Sequence, residues 1–277
     1  MSTQRKKALT GKKILITGAG SGIGRATALL LAQYETTLIL CDLNADAVTQ
    51  TAEAARALGA KTETHTVDVS DWDDMQAFSV KVHKTHQAID ILVNNAGVGL
   101  GGDFLSTPVT DWQWVIGINL MGVVHGCKLF APAMVAQKQG HIVNLASAAG
   151  YYAAPDMTAY AASKHAVMGL SEALRAEMAE HGIGVSAICP GVINTNIVAA
   201  GRMNGATGAA QEKIAALYRR RNYGPEHVAE AIVTAIINNR AVTPVSPEAW
   251  AMYGAKRFTP GLLDWMGSSP LLKKLRP

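Results

Sequence analysis

KILITGAGSGIGRATALLLAQ, residues 13–33, passes from a strand to a helix through one turn of glycines. Lys13–Thr17 reads as a short buried strand and Gly22–Gln33 as an amphipathic helix. Between them Gly18, Gly20, Gly22 and Gly24 let the backbone turn sharply and approach a pyrophosphate. The helix N-terminus adds N–H donors and positive potential, for which Ser21, Gly22 and Ile23 are the candidate residues. A glycine turn by itself could simply connect two elements. Its place between strand and helix, and Asp42 at the end of the second strand, make it a candidate dinucleotide site. A carboxylate at Asp42 accepts hydrogen bonds from both ribose hydroxyls and repels a 2′-phosphate. Leu43, Asn44 and Ser21 supply no cation to offset that repulsion, so NAD is expected in preference to NADP. Arg25 is the one nearby cation, read as part of the helix surface.

Working outward, short β-branched runs alternate with longer helical patterns. Strands are expected at Lys13–Thr17, Thr37–Cys41, Lys61–Val67, Ile89–Asn94, His141–Ala146 and Gly184–Cys189. Helices are expected at Gly22–Gln33, Ala45–Leu58, Trp72–His86, Asp111–Ala136 and Thr158–His181. Such alternation builds right-handed crossovers, hence an α/β fold with a three-layer, doubly wound parallel sheet of Rossmann type. No linker divides the chain, so residues 1–277 are expected to form a single domain. After Pro190 the rhythm changes. Residues 191–222 are Gly-, Ala- and Asn-rich, as in a mobile segment covering a site. A helix at Pro225–Asn238 and a strand at Ala241–Val245 follow, then a C-terminal extension, residues 247–277.

The composition, 49% apolar and 17% charged over 277 residues, suits a large packed core and excludes disorder. Cys41, Cys127 and Cys189 are far apart and lack metal-ligand spacing. They read as buried free thiols, which points to a reducing, cytoplasmic setting. The basic opening residues lack the apolar stretch of a secretory signal. VIGINLMGVVHGCKLFAPAMV, residues 115–135, is long enough to span a bilayer. Asn119, His125, Lys128 and Pro132 interrupt it, and it reads as a core or interface helix. The net charge of +4 is scattered and no nucleic-acid motif is present, so no nucleic-acid partner is expected. The histidines show no paired ligand spacing, and no metal is assigned.

The chemical end of the site is carried by Tyr160-Ala161-Ala162-Ser163-Lys164, which sets Tyr160 and Lys164 on one helical face. Ser147 lies thirteen residues before Tyr160 and ends the fifth strand, where the ligand sites of parallel sheets collect. With the TGxxxGxG spacing from Thr17 to Gly24, these motifs closely resemble the short-chain dehydrogenase/reductase family over about residues 12–239. The resemblance extends to Asp68-Val69, which matches an adenine-contacting pair, and to Asn94-Asn95-Ala96-Gly97, the turn that shapes the cofactor floor. Pro190-Gly191 with Ile193 and Thr195 matches the segment that holds the nicotinamide carboxamide. Asn119 completes the family's tetrad with Ser147, Tyr160 and Lys164.

The resemblance implies interconversion of a carbonyl and an alcohol by hydride transfer. A phenol titrates near pH 10, too high for a base at neutrality, and an adjacent ammonium stabilises the phenolate. Tyr160 is then the general acid or base, and Lys164 tunes it while binding the nicotinamide ribose. Ser147 donates a hydrogen bond to the substrate oxygen, and Asn119, by resemblance, holds a water that links Lys164 to solvent.

The substrate is expected to meet Ala148, Ala149, Tyr151, Tyr152 and Ala153 on one side and Val198, Met203 and Leu217 on the other. This largely apolar set suggests a small hydrophobic ketone or secondary alcohol. Arg202 and Arg219–Arg221 motivate a rival, a 3-hydroxyacyl thioester whose carrier phosphate needs cations. A further alternative is a sensor that binds the cofactor without turnover. Arg240-Ala241-Val242-Thr243-Pro244-Val245 and the residues after it look like dehydrogenase modules of some bacterial lipid-metabolism proteins. Leu262, Leu263, Trp265 and Met266 beside Lys273, Lys274 and Arg276 could give weak membrane-surface contact, although packing on protein is the stronger expectation. The family resemblance also implies a homo-oligomer, dimer or tetramer, paired through helices 111–136 and 158–181.

Overall fold

The computed structural model describes residues 3–261. Seven strands form one parallel sheet: β1 (Lys13–Thr17), β2 (Thr37–Asp42), β3 (Lys61–Thr66), β4 (Ile91–Asn94), β6 (Gly140–Leu145), β7 (Ile183–Pro190) and β9 (Val242–Val245). Two short strands, β5 (Leu100–Gly101) and β8 (Arg202–Met203), pair separately above it. The helices are α1 (Thr3–Leu9), α2 (Gly22–Ala32), α3 (Ala45–Ala57), α4 (Trp72–His86), α5 (Val109–Ile116), α6 (Gly122–Gln137) and α7 (Thr158–Ala179). They continue with α8 (Gly205–Ala209), α9 (Gln211–Arg221), α10 (Pro225–Asn238) and α11 (Pro247–Phe258).

The large sheet runs β3-β2-β1-β4-β6-β7-β9. The chain leaves β1 towards β2 on one side and resumes on the other side with β4, which pairs Ile14 with Ile91. A crevice therefore opens beyond the carboxyl ends of β1 and β4, where doubly wound sheets bind ligands. Alternating side chains supply both layers. Leu15 packs with Met75, Phe78, Phe130 and Val167 on the face covered by α4, α6 and α7. Ile14 and Ile16 pack with Leu31, Val48, Val228 and Ile232 on the face covered by α2, α3 and α10. All three strand residues have no exposed surface, and each contributes roughly 1.5–3 kcal/mol by burial. The three cysteines are free and buried, and burial raises the pKa of each thiol.

The structure departs from the sequence expectations in four places. The expected helix 111–136 is two helices, α5 and α6, joined by a π turn at Gly117–Met121. Asn119 causes the break. Its fully buried amide accepts from the Val98 N–H at 2.8 Å and donates to the Val98 carbonyl at 3.0 Å. A regular turn through apolar residues would leave that amide to find its partners elsewhere, at a cost of several kcal/mol. The run Val109–Gln137 meets the length and hydropathy of a membrane span, yet α6 packs on α4 and on the sheet, as a core helix does. The basic opening residues form α1, anchored by the buried Leu9.

Segment 191–222, expected to be loose, holds β8, α8 and α9. Asp111 pins it by accepting from Arg202 at 2.8 Å and from Asn204 at 2.9 Å. The Arg202 guanidinium carbon also lies over the Trp114 ring, 4.1 Å from its centroid. Finally, α11 gives the C-terminal extension a helix seated by the buried Ala249. Leu262, Leu263, Trp265, Met266, Lys273, Lys274 and Arg276, and with them the expected membrane contact, lie outside the described residues.

Candidate active site

The first turn after β1 is built by close backbone approach. Gly18 adopts φ +64°, and a Cβ there would sit 2.7 Å from Ala96 Cα. A Cβ on Gly24 would collide with the Gly18 carbonyl, so glycine is required where helix meets turn. Ser21 caps α2 with extended backbone and makes no side-chain cap, which leaves the first N–H groups facing outward. The turn is tied to β4 by Asn95, whose amide donates to the carbonyls of Thr17 (2.9 Å) and Gly18 (3.0 Å). Thr17 Oγ1 accepts from the backbone of Asn95 and Ala96, both at 3.0 Å. Thr17 was visible in the motif, but its cross-link could not be read from one strand alone.

Gly18, Ser21, Gly22, Ile23, Asp42, Asp68, Val69, Asn95, Ala96, Gly97 and Thr195 line one cleft of about 1070 Å³. Gly24 does not line it but packs against Gly18 and Asn95, which do. Asp42 Oδ2 accepts from Gly20 N–H at 2.8 Å and Oδ1 from Asn44 N–H at 2.9 Å, so the carboxylate is held at the cleft wall. Arg25 is exposed and lines a different cleft, between α2 and α10. The glycine cradle and the outward N–H groups fit a dinucleotide, and Asp42 fits a ribose diol.

Gly97, Thr195 and Ile23 also line a second cavity, of about 1000 Å³, which holds the chemical groups. Ser147, Tyr160, Lys164, Pro190, Gly191 and Ile193 all face it, so the expected catalytic and nicotinamide-side residues converge. Ser147 caps the turn Ala148–Gly150. Its Oγ accepts from Ala149 N–H at 3.1 Å and lies 3.4 Å from the Pro190 carbonyl. Tyr160 and Lys164 are one turn apart on α7 and both buried. The ammonium donates to the Leu145 carbonyl at 2.8 Å and lies 5.9 Å from the Tyr160 ring centroid.

The electrostatics differ from the sequence expectation. Burial pushes the Tyr160 phenol up to about 12, although the neighbouring Ser147 hydroxyl pulls in the other direction. Burial lowers Lys164 to about 8. Both groups are buried and the ammonium turns to a backbone carbonyl, so desolvation outweighs the expected acidification of the phenol. Asn119 is held by its own bonds. Its Nδ2 donates to Val98 O and to Ser163 Oγ (3.2 Å), which uses both hydrogens and leaves an Oδ1 lone pair.

On the substrate side, Val198 and Met203 line the cavity as expected, together with Leu100, Met157, Ile197 and Ile214. Leu217 instead points to solvent, 54% exposed, and its neighbour Tyr218 faces inward. Tyr151 is buried and donates to the Ala249 carbonyl at 2.8 Å. Ala148, Ala149, Tyr152 and Ala153 do not line the cavity. Among the described residues no cluster of His, Cys, Asp or Glu could hold a metal.

The fold and its glycine cradle define a doubly wound α/β protein with a candidate dinucleotide site. Residues 12–204 match the short chain dehydrogenase profile, and the chain belongs to that family. It is 42% identical to "Probable oxidoreductase EphD" of Mycobacterium tuberculosis over 258 residues. That alignment covers 90% of this chain and 43% of EphD, so the chain spans less than half the length of that relative. A short chain dehydrogenase/reductase from Burkholderia phymatum, solved in complex with NAD, superimposes with a TM-score of 0.86 at 33% identity. The match covers 95% of this chain and 98% of that one. A metagenomic short-chain oxidoreductase solved with NADP gives a TM-score of 0.71 at 29% identity, covering 86% and 97%.

Proposed function

We propose that the protein is an NAD-dependent oxidoreductase that interconverts a hydrophobic secondary alcohol and its ketone. The observation that carries this reading is that two clefts adjoin along Ile23, Asn95, Gly97 and Thr195: one a glycine cradle with a carboxylate at its wall, the other a mainly apolar cavity lined by Ser147, Tyr160 and Lys164. A nicotinamide dinucleotide bound in the cradle would supply or accept the hydride. Tyr160 gives its proton to the substrate oxygen in reduction and takes it back in oxidation. Ser147 Oγ donates to the same oxygen as negative charge builds there. Lys164 holds positive charge beside the buried phenol, where it favours the phenolate left after proton transfer. A phenol raised to about 12 rests protonated at neutral pH, the form that reduction needs.

The hydrophobic substrate is favoured over a carrier thioester by the pairing of the arginines. Arg202 is paired with Asp111, Arg219 with Glu212 and Arg221 with Glu248. Arg220 is exposed on the outer surface of α9 and does not line the cavity. With NADH, kcat/KM for acetophenone is expected to exceed that for acetoacetyl-CoA by about tenfold or more, the scale on which a polar group unmatched by the pocket is rejected. A preference for the thioester overturns the assignment. An NAD preference, a cytoplasmic setting and a homo-oligomer built on α5, α6 and α7 belong to the same proposal.

The pH dependence follows from Lys164. Its pKa is lowered, so it is charged below about 8 and loses its proton above that value. Ketone reduction, which uses the charged form, is expected to be level below pH 8 and to fall about tenfold per unit above it. The kcat/KM profile of the wild type beside Lys164→Arg is the measurement, and the descending limb should move upward in the variant. A limb that stays in place excludes Lys164 as its source.

A further inference from the structure

The covering segment leaves the sheet at Gly191 and returns at the end of α9, Arg221, some thirty residues later. One carboxylate, outside the part of the chain that matches the family profile, meets both ends. Glu248 Oε1 accepts from the backbone N–H of Val192 at 3.0 Å, and Oε2 pairs with the Arg221 guanidinium. Glu248 lies in the first turn of α11, which is fixed by the buried Ala249 and by the Tyr151 hydroxyl on the Ala249 carbonyl. A Cβ on Gly191 would displace the Glu248 carboxylate from its present position.

We propose that Glu248 is a positioning residue: its carboxylate clasps the two ends of the segment that covers the substrate cavity and so sets the height of the roof above Tyr160 and Ser147. The inference rests on the functional reading above. At one end of the clasp, Val192 stands between Gly191 and Ile193, which face the cavity that holds Ser147 and Tyr160. At the other, Arg221 ends the helix whose Ile214 and Tyr218 form the roof. Asp111 holds the middle of the same segment through Arg202 and Asn204, and at the neck Glu248 adds its clasp to the backbone bond from the Asn194 N–H to the Tyr223 carbonyl (2.8 Å). The carboxylate touches no reacting atom. Its loss therefore weakens substrate binding and leaves the proton transfer intact.

Two variants open the ion pair and keep the rest. Glu248→Gln retains an acceptor for the Val192 N–H, and Arg221→Met removes the cation. Each is expected to raise KM for acetophenone about fivefold, with kcat and the NADH dissociation constant within about twofold of wild type. The double variant should be no worse than either single one, because both break the same link. Trypsin cleavage after Lys213 of the NADH-bound protein should accelerate about tenfold in both. An unchanged KM, a fall in kcat at constant KM, or losses that multiply in the double variant overturn the proposal. If acetophenone is not turned over, cleavage decides alone. Faster cutting in both variants then upholds the clasp while the activity assignment fails, and an unchanged rate rejects the clasp.

Discussion

Tyr160→Phe is expected to lower kcat for ketone reduction by about a thousandfold, within the range that general acid–base catalysis supplies. Only the hydroxyl is removed. The ring keeps its packing with Leu100, Val115 and Ala159, so the thermal midpoint should move little. NADH affinity should also hold, because the glycine turn, Asn95 and Asp42 are untouched. That combination separates loss of a proton donor from loss of structure: the protein folds, binds its dinucleotide and fails to turn over. Single-turnover kinetics with bound NADH is the decisive measurement. A variant that retains a tenth or more of the wild-type rate removes Tyr160 from the proton path.

The second large effect is expected at Asp42. Asp42→Asn preserves an oxygen for the Gly20 N–H, now bonded at 2.8 Å, and deletes the charge. Like charges about 4 Å apart repel by about 4 kcal/mol at an effective dielectric of about 20. Relief of even about 3 kcal/mol improves binding by more than about a hundredfold. NADPH affinity should therefore rise by about two orders of magnitude, while NADH affinity falls several-fold as a charged acceptor of the ribose hydroxyls is lost. Fluorescence titration with both cofactors gives the ratio. An unchanged NADPH dissociation constant means that the wall holding Asp42 does not face the ribose. Arg25, exposed in a separate cleft, offers no compensating cation.

Much of this architecture was legible in one dimension because its causes are local. Strands buried on both faces read as β-branched runs, and β1, α4 and α10 fall where the sequence pattern puts them. The convergence of Ser147, Tyr160 and Lys164 was legible because strand ends and helical periodicity fix those positions separately. Asn119 was legible as a residue out of place in an apolar helix. The π turn that accommodates it was not, because its partner Val98 lies on another segment. Leu217 was expected to meet the substrate, and Tyr218 takes that place for a similar reason. An isolated α9 has no inside, and only the direction from which it meets the cavity selects the buried face.

From its sequence alone the chain determined a doubly wound α/β fold, a glycine turn poised for a pyrophosphate, and a Tyr–Lys pair on one helix. These follow from backbone freedom and side-chain period, which act over a few residues. Tertiary structure alone decided the titration of that pair, the pairing of the arginines and the seat of Glu248 at the neck of the covering segment. Desolvation and long-range ion pairing depend on what the rest of the chain brings alongside, and no local pattern encodes that.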